Sequence, residues 1–255
     1  GGGIKENNFL GKGIKLNTNV QLTSNSIRGI FVYEKPNFNY SDNTLFTSLS
    51  STSTDNLSTF GYKTTDIGLS LGTAFEQYED LYFRPEIKTK LEKLETTSNA
   101  SSELKKQEGD YFDTYFNYSL DYDKRNKRYR PDDGYRNKFS QDVPLISDNY
   151  ELTNAFETSK YKKVSSVVTK TSFLYRRVDT LNDENVRTSK RLNIPSSKLR
   201  GFESGKIGPN DNNVFIGGNN VSSVNFNATM PGLLPSFQNT DFSFFIDAAN
   251  VWGVD

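Results

Sequence analysis

The 255-residue chain has no cysteine and no histidine, and only one methionine and one tryptophan. Without cysteine, disulfides and thiolate metal sites are excluded. The absence of histidine removes His-based triads, the common zinc and iron sites and the most frequent general base. An excess of one charge is also missing: 31 basic residues balance 31 acidic ones. A neutral chain offers no pull toward a nucleic-acid backbone, which demands a basic face, so nucleic acid is not an expected partner. No apolar run reaches the about 20 residues of a membrane-spanning helix. The opening Gly1-Gly2-Gly3-Ile4 lacks the basic and apolar regions of a signal peptide. The chain stops at Val254-Asp255 straight after an apolar stretch. Both ends read as cut, and a fragment is expected.

What is present is an odd balance. Hydrophobic residues make up only 34 %, yet aromatics reach 13 %, with 14 Tyr and 19 Phe. A disordered chain would be poor in aromatics. Low hydropathy, many aromatics and no long apolar run meet in the transmembrane β-barrel, where only alternate residues face lipid.

The corresponding pattern is a period of two over about ten residues. Ile14, Leu16, Thr18, Val20 and Leu22 alternate with Lys15, Asn17, Asn19 and Gln21, and Ile27, Gly29, Phe31 and Tyr33 follow on one face. The stretch Thr44–Thr54 is weaker, mostly Ser and Thr. Ile67, Leu69, Leu71, Thr73 and Phe75 alternate with small or polar residues, and Leu81, Phe83, Ile87 and Leu91 with charged ones. Basic side chains turned toward lipid would cost about 2–4 kcal/mol each at the midplane, so the register is fixed. Residues 95–108 read as a polar loop with a short helix started by Ser101 or Ser102.

Further strands are expected over Phe112–Asp123, Tyr135–Val143, Tyr150–Phe156 and Val167–Arg177. A charged loop, Leu181–Ser189, then leads to a short strand near Arg191–Ile194, and the last two strands are Ser222–Met230 and Asp241–Val251. That makes about twelve strands with no soluble-domain boundary. Periodicity alone also fits a soluble β-sandwich, whose strands are usually shorter, near 5–6 residues.

Several local motifs stand out. Asn7-Asn8-Phe9-Leu10-Gly11-Lys12-Gly13 reads as a tight turn between strands, and Asp123-Lys124-Arg125-Asn126 precedes Pro131 and Gly134. Leu199-Arg200-Gly201-Phe202 is followed by Ile207-Gly208-Pro209 and Ile216-Gly217-Gly218-Asn219 in a stretch too rich in glycine for a regular element. There Arg200 can extend its five fixed donors while the Phe202 ring anchors the turn. Phe245-Ile246-Asp247-Ala248-Ala249-Asn250-Val251-Trp252 closes the series, with Asp247 inward by parity.

In order and spacing these motifs resemble the barrel of the BamA-type outer-membrane assembly factors, the bacterial surface antigen family. That family also holds the mitochondrial sorting-and-assembly and chloroplast import barrels. The resemblance spans nearly the whole chain and implies an all-β, transmembrane, antiparallel up-and-down barrel. About twelve of roughly sixteen strands would lie in this chain. Residues 1–255 would then form one outer-membrane barrel domain, without the periplasmic repeat domains, most of the first strand and the last strands.

The resemblance further implies that loop 198–213 folds back into the lumen, its tip Arg200 reaching acids on the inner wall. Asp247 matches one such acid. Where many relatives carry a second, this chain has Asn227, a neutral partner able to accept one hydrogen bond. The implied function is folding and insertion of β-barrel proteins without bond chemistry, not an enzyme activity and with no cofactor or metal. The implied partners are unfolded outer-membrane β-barrel proteins, accessory assembly lipoproteins and the lipid bilayer; the implied location is the bacterial cell outer membrane.

Other roles compatible with the sequence are a related two-partner secretion or translocation-and-assembly barrel, and a passive porin. A porin needs no Arg200–Asp247 latch. The inward pairs Asp113/Asp121 and Glu86/Glu92 could serve carboxylate chemistry or cation binding, but a solvated lumen wall is the simpler reading. Gly201-x-x-x-Gly205-Lys206 lacks the spacing and the Ser/Thr of a phosphate loop.

Overall fold

The computed structural model of the chain describes residues 1–211, 214–232 and 240–254. Twelve strands form one antiparallel sheet: β1 (Gly2–Phe9), β2 (Ile14–Leu22), β3 (Ser26–Lys35), β4 (Thr44–Asn56), β5 (Tyr62–Tyr78), β6 (Leu81–Thr96), β7 (Gly109–Asp123), β8 (Asp133–Ile146), β9 (Glu151–Val164), β10 (Val167–Thr180), β13 (Asn220–Met230) and β14 (Phe242–Trp252). Each pairs with the next in chain order, the up-and-down arrangement expected from the sequence. A separate ribbon, β11 (Asn210–Asp211) with β12 (Val214–Phe215), lies within the segment joining β10 to β13. Two short helices cap loops, α1 (Leu57–Phe60) and α2 (Ser102–Lys106). The Ser101 hydroxyl caps α2 by accepting from the Leu104 N–H at 3.3 Å. No helix among the described residues is long and apolar enough to cross a membrane.

The sheet is inside-out relative to a soluble protein. Leu69, Leu71, Phe244 and Ile246 are 57–72 % exposed on the outer face, whereas Ser70, Ser172, Ser223 and Asn225 on the other are 1–4 % exposed. Alternation produces this directly, because successive side chains of a strand point to opposite faces. The Ser48–Ser70 hydroxyl pair at 2.7 Å joins strands on the polar face, and Thr89–Thr114 at 3.1 Å does the same on the outer face. From β2 to β13 backbone groups are satisfied by strands on both sides, as an apolar surround requires, while β1 and β14 each have one neighbour among the described residues.

Connections differ between the two ends. The β5–β6 and β9–β10 links are two-residue turns at one end, here the turn end. The other, the loop end, carries α1, α2 and the long β10–β13 segment, residues 181–219. Buried apolar residues gather on the inner side at the loop end. Leu94, Ala100 and Leu104 form one cluster, and Ile194, Leu199, Val221 and Val251 another.

Two expectations need correction. Arg191–Ile194 is no strand: its ladder is a single bridge, Leu192 to Gly218. The Lys190 and Arg191 N–H groups bond back to Arg187 and Thr188 carbonyls, a tight turn that prevents extension. Conversely Gly2–Phe9, with two glycines at its start and little alternation, does form a strand, paired with β2. The total of twelve therefore holds with one exchange of members. Most strands also run two to five residues beyond the apolar alternation, because pairing continues into polar ends.

Leu69 sits near the middle of β5 on the outer face. Leu69→Arg is expected to destabilise the chain in lipid vesicles by about 2–4 kcal/mol. Lys88→Gln, on the inner face opposite Ser70, is expected to change it by under about 0.5 kcal/mol. Urea unfolding of both variants in vesicles checks the assignment of faces.

Candidate functional site

The long β10–β13 segment turns back against the inner face, and apolar side chains set its path. Leu199 is buried with Ile194, Val221 and Val251, and Ile207 and Leu192 pack against that cluster. Pro195 precedes a 3-10 turn, Ser196–Lys198, which directs the following residue to the wall. Farther on, Ile207-Gly208-Pro209 crosses β14 closely. Gly208 has φ +111°, and a Cβ there would meet the Val251 side chain at 2.8 Å, so only glycine fits.

Arg200 lies in a socket made by β13 and β14. Its Nε and Nη2 donate to Asp247 at 2.7 and 2.6 Å, and its backbone N–H donates to the same carboxylate at 3.0 Å. Nη1 donates to the Asn227 side-chain oxygen at 2.7 Å. The guanidinium also lies 3.7 Å from the centre of the Phe245 ring. Asp247 is almost wholly buried while Arg200 keeps a third of its side chain exposed. The register that assembles the socket pairs Asn225 with Asp247 and Asn227 with Phe245.

Asn225 is a member that sequence reasoning missed. Its amide donates to Asp247 at 2.9 Å and to the Lys198 carbonyl at 2.7 Å, tying wall to loop. Its inward parity was visible; its position opposite Asp247 needed the strand register. The expectation for Phe202 is overturned. That ring is 62 % exposed, and the aromatic that holds Arg200 is Phe245 from the wall. Gly201 forms the exposed tip beside it, with φ +83°. Residues 212 and 213, at the end of the expected 198–213 loop, lie outside the described residues.

The turn motif occupies the β7–β8 connection at the turn end, away from the socket. Arg125 donates through Nε and Nη2 to Asp123, both at 2.7 Å. The Asn126 side-chain oxygen accepts from the backbone N–H groups of Asp132 and Asp133, each at 3.2 Å. Asn126 also donates to the Asp132 carboxylate, and that bond, outweighing burial, holds the carboxyl below its ordinary range. Gly134 has φ +94°, and a Cβ there would strike the Lys124 carbonyl. Pro131 lines the cleft between this turn and Arg200.

A second charged site was not foreseen. Arg187, in the loop expected to be merely charged, is 1 % exposed. It donates to Glu151 through Nε at 2.8 Å and through Nη2 at 2.9 Å, and to Asp113 at 2.7 Å. Lys190 adds an ion pair to Asp113 at 3.1 Å, and Ser147 donates to the same carboxylate at 2.7 Å. Burial works against the Arg187 charge, but bonds to Glu151 and Asp113 outweigh it and hold its pKa above the ordinary value. Asp113 and Glu92 are therefore not solvated lumen wall: they are 0 % and 3 % exposed, the first beneath this loop and the second bonded to Lys90 at 2.7 Å. Asp121 fits the earlier reading better, half-buried and bound to Arg136 at 2.7 Å. A loop has no periodicity, so nothing in the sequence marked Arg187.

These arrangements hold a loop against a wall. Their carboxylates are taken up by guanidinium and ammonium groups, and no metal-binding cluster occurs among the described residues. The Omp85 superfamily domain matches residues 8–255. The chain belongs to the Omp85 superfamily. Among solved structures, BamA from Haemophilus ducreyi lacking POTRA domains 1-3 aligns over 98 % of this chain and 54 % of its own, with TM-score 0.82 and 22 % identity. CdiB from Acinetobacter baumannii aligns over 97 % of this chain and 45 % of its own, with TM-score 0.58 and 12 % identity. The Omp85 chain thus has the BamA barrel fold and spans about half the length of these structures. Comparison with curated protein sequences finds no match.

Arg187→Ala in this Omp85 chain leaves buried Glu151 without its cation and Asp113 with Lys190 alone, and is expected to cost about 3–5 kcal/mol. Arg200→Ala is expected to cost about 2 kcal/mol, less because water reaches its partly exposed guanidinium. Arg200→Lys should recover little, since an ammonium cannot span Asp247 and Asn227 with the same fork. Denaturant midpoints of the three variants test this order.

Proposed function

We propose that this chain is the membrane-embedded part of an outer-membrane protein assembly factor, which folds and inserts β-barrel proteins in the bacterial outer membrane. The observation that carries this reading is family membership over residues 8–255, supported by the BamA-like fold across nearly the whole chain. Under this reading the work needs no bond chemistry. An exposed strand edge templates an incoming strand through main-chain hydrogen bonds, and the alternating faces fix its register. The loop held by Arg200 and Asp247 keeps β13 and β14 in register while the barrel deforms. Passenger barrel proteins, the lipid bilayer and accessory lipoproteins are the proposed partners. The alternative of a related secretion or translocation-and-assembly barrel has weaker support, since fold similarity to CdiB is lower.

A double-mutant cycle in the full-length parent tests the reading. Arg200→Ala, Asp247→Ala and the double variant would be scored for barrel stability and for insertion of a reporter barrel protein into liposomes. The two changes are expected to couple by about 1–3 kcal/mol, with insertion slowing in step with stability. Insertion absent from the parent itself would overturn the assembly reading. Insertion indifferent to all three variants would overturn the role given to the loop.

A further inference from the structure

The inner face carries a cleft of about 780 Å³ between the β7–β8 turn, β9, β10, β13 and the loop. This is within the about 300–1,000 Å³ of ligand sites. Arg200 stands at its inner limit, and Asn227 and Thr229 line its floor. Five basic residues line it against two acidic ones, Asp132 and Asp241. Three of those cations are committed: Arg130 to Asp241 at 2.9 Å, Lys198 to Glu157, and Arg200 to Asp247 at 2.6 Å. Lys163 and Lys170 form no such pair, although the Lys163 charge also acts on Asp132. Neither has a carboxylate at ion-pair distance among the described residues, and Lys170 instead stands 5.4 Å from the Tyr161 ring centre.

The register fixes the spacing of these two lysines. Lys170 pairs with Tyr161 and Val168 with Lys163, so the lysines are diagonal neighbours on the inner face, about 7–8 Å apart at the backbone. An extended peptide places its residues i and i+2 on one side about 6.6 Å apart, at about 3.3 Å rise per residue. Carboxylates at those two positions match the lysine pair. Among the described residues the lining sets Val168, Pro131, Pro231 and the Tyr161 ring beside these charges.

From this we infer that the cleft is a binding site for an extended acidic peptide segment, carboxylates at i and i+2, with Lys163 and Lys170 as its charge readers. The identity of that segment as part of a passenger chain rests on the assembly reading; the site itself does not. The Tyr161 ring flanks Lys170 at 5.4 Å. Charge-assisted contacts of this kind weaken with salt.

The test uses the full-length parent in detergent micelles and a fluorescent hexapeptide with Asp at two positions i and i+2. Its Asn-for-Asp twin and inorganic phosphate serve as competitors. The acidic peptide is expected to bind at least tenfold more tightly than the twin. Lys163→Gln/Lys170→Gln should abolish that preference, with the thermal unfolding midpoint unchanged. Lys163→Glu/Lys170→Glu should transfer it to the matching Lys-x-Lys peptide. Equal affinity for the two peptides, a preference that survives both double variants, or full displacement by phosphate at equal charge would each overturn the proposal. Reporter insertion is measured in parallel. Selective peptide binding without insertion leaves the site standing and removes the assembly reading, whereas insertion without selective binding does the reverse.

Discussion

The structure depends on register, and in particular on the β13–β14 register that faces Asn225 to Asp247. A guanidinium is a rigid planar fork, so it can satisfy Asp247 and Asn227 together only if both are fixed on one wall. A slip of one residue between β13 and β14 would turn Asp247 toward the apolar outer face and dismantle the socket. The Arg200 contacts thus oppose slippage as well as holding a loop. Closing the segment from Leu181 to Asn219 costs entropy that grows only slowly with its length. A few well-formed contacts are therefore enough to offset much of it.

Those contacts are spread over distant strands. Arg187 reaches Asp113 on β7 and Glu151 on β9, Lys198 reaches Glu157 on β9, and Arg200 reaches β13 and β14. The loop therefore joins strands that are not neighbours in the sheet order. Main-chain pairing fixes the distance between adjacent strands but leaves sheet curvature soft. Side chains that cross the inner space restrict that curvature. The apolar cluster of Ile194, Leu199, Val221 and Val251 adds a dry contact at the same end, so polar bonds and burial act together there.

Much of this was legible in the residues because a half-exposed strand writes its geometry as a period of two. The inward side of Asp247 and the outward side of Leu69 follow from parity alone. Gly2–Phe9 was illegible because its side chains give no apolar face, and its pairing with β2 comes from the backbone. Arg191–Ile194 misled for the opposite reason: Leu192 and Ile194 alternate, but serve a turn packed inside. Phe202 and Phe245 show the limit most clearly. Both are plausible rings for Arg200, and only the fold of the loop puts the first outside and the second beneath the guanidinium. Arg187 lay beyond pattern reading altogether, since its partners are 36 and 74 residues away in the chain.

The two ends of the barrel wall are held unequally. At the loop end the cross-links are buried: Arg187, Glu151 and Asp113 each have at most 2 % of their side chains exposed. At the turn end the cross-links are more exposed: Arg130 to Asp241, joining the β7–β8 turn to the residue before β14, with Arg130 58 % exposed, and Lys124 to Asp80 of the β5–β6 turn, each 36 % exposed. An exposed pair of that kind contributes about 0–1 kcal/mol, whereas breaking a buried one costs about 3–5 kcal/mol. Deformation of the wall should therefore begin at the turn end, beside the cleft lined by Lys163 and Lys170. A wall stiff at one end and yielding at the other can widen toward the short turns without releasing the Arg200 socket. It follows that register at β13–β14 and access to the inner cleft are not in competition: the first is held by contacts that opening at the turn end does not touch.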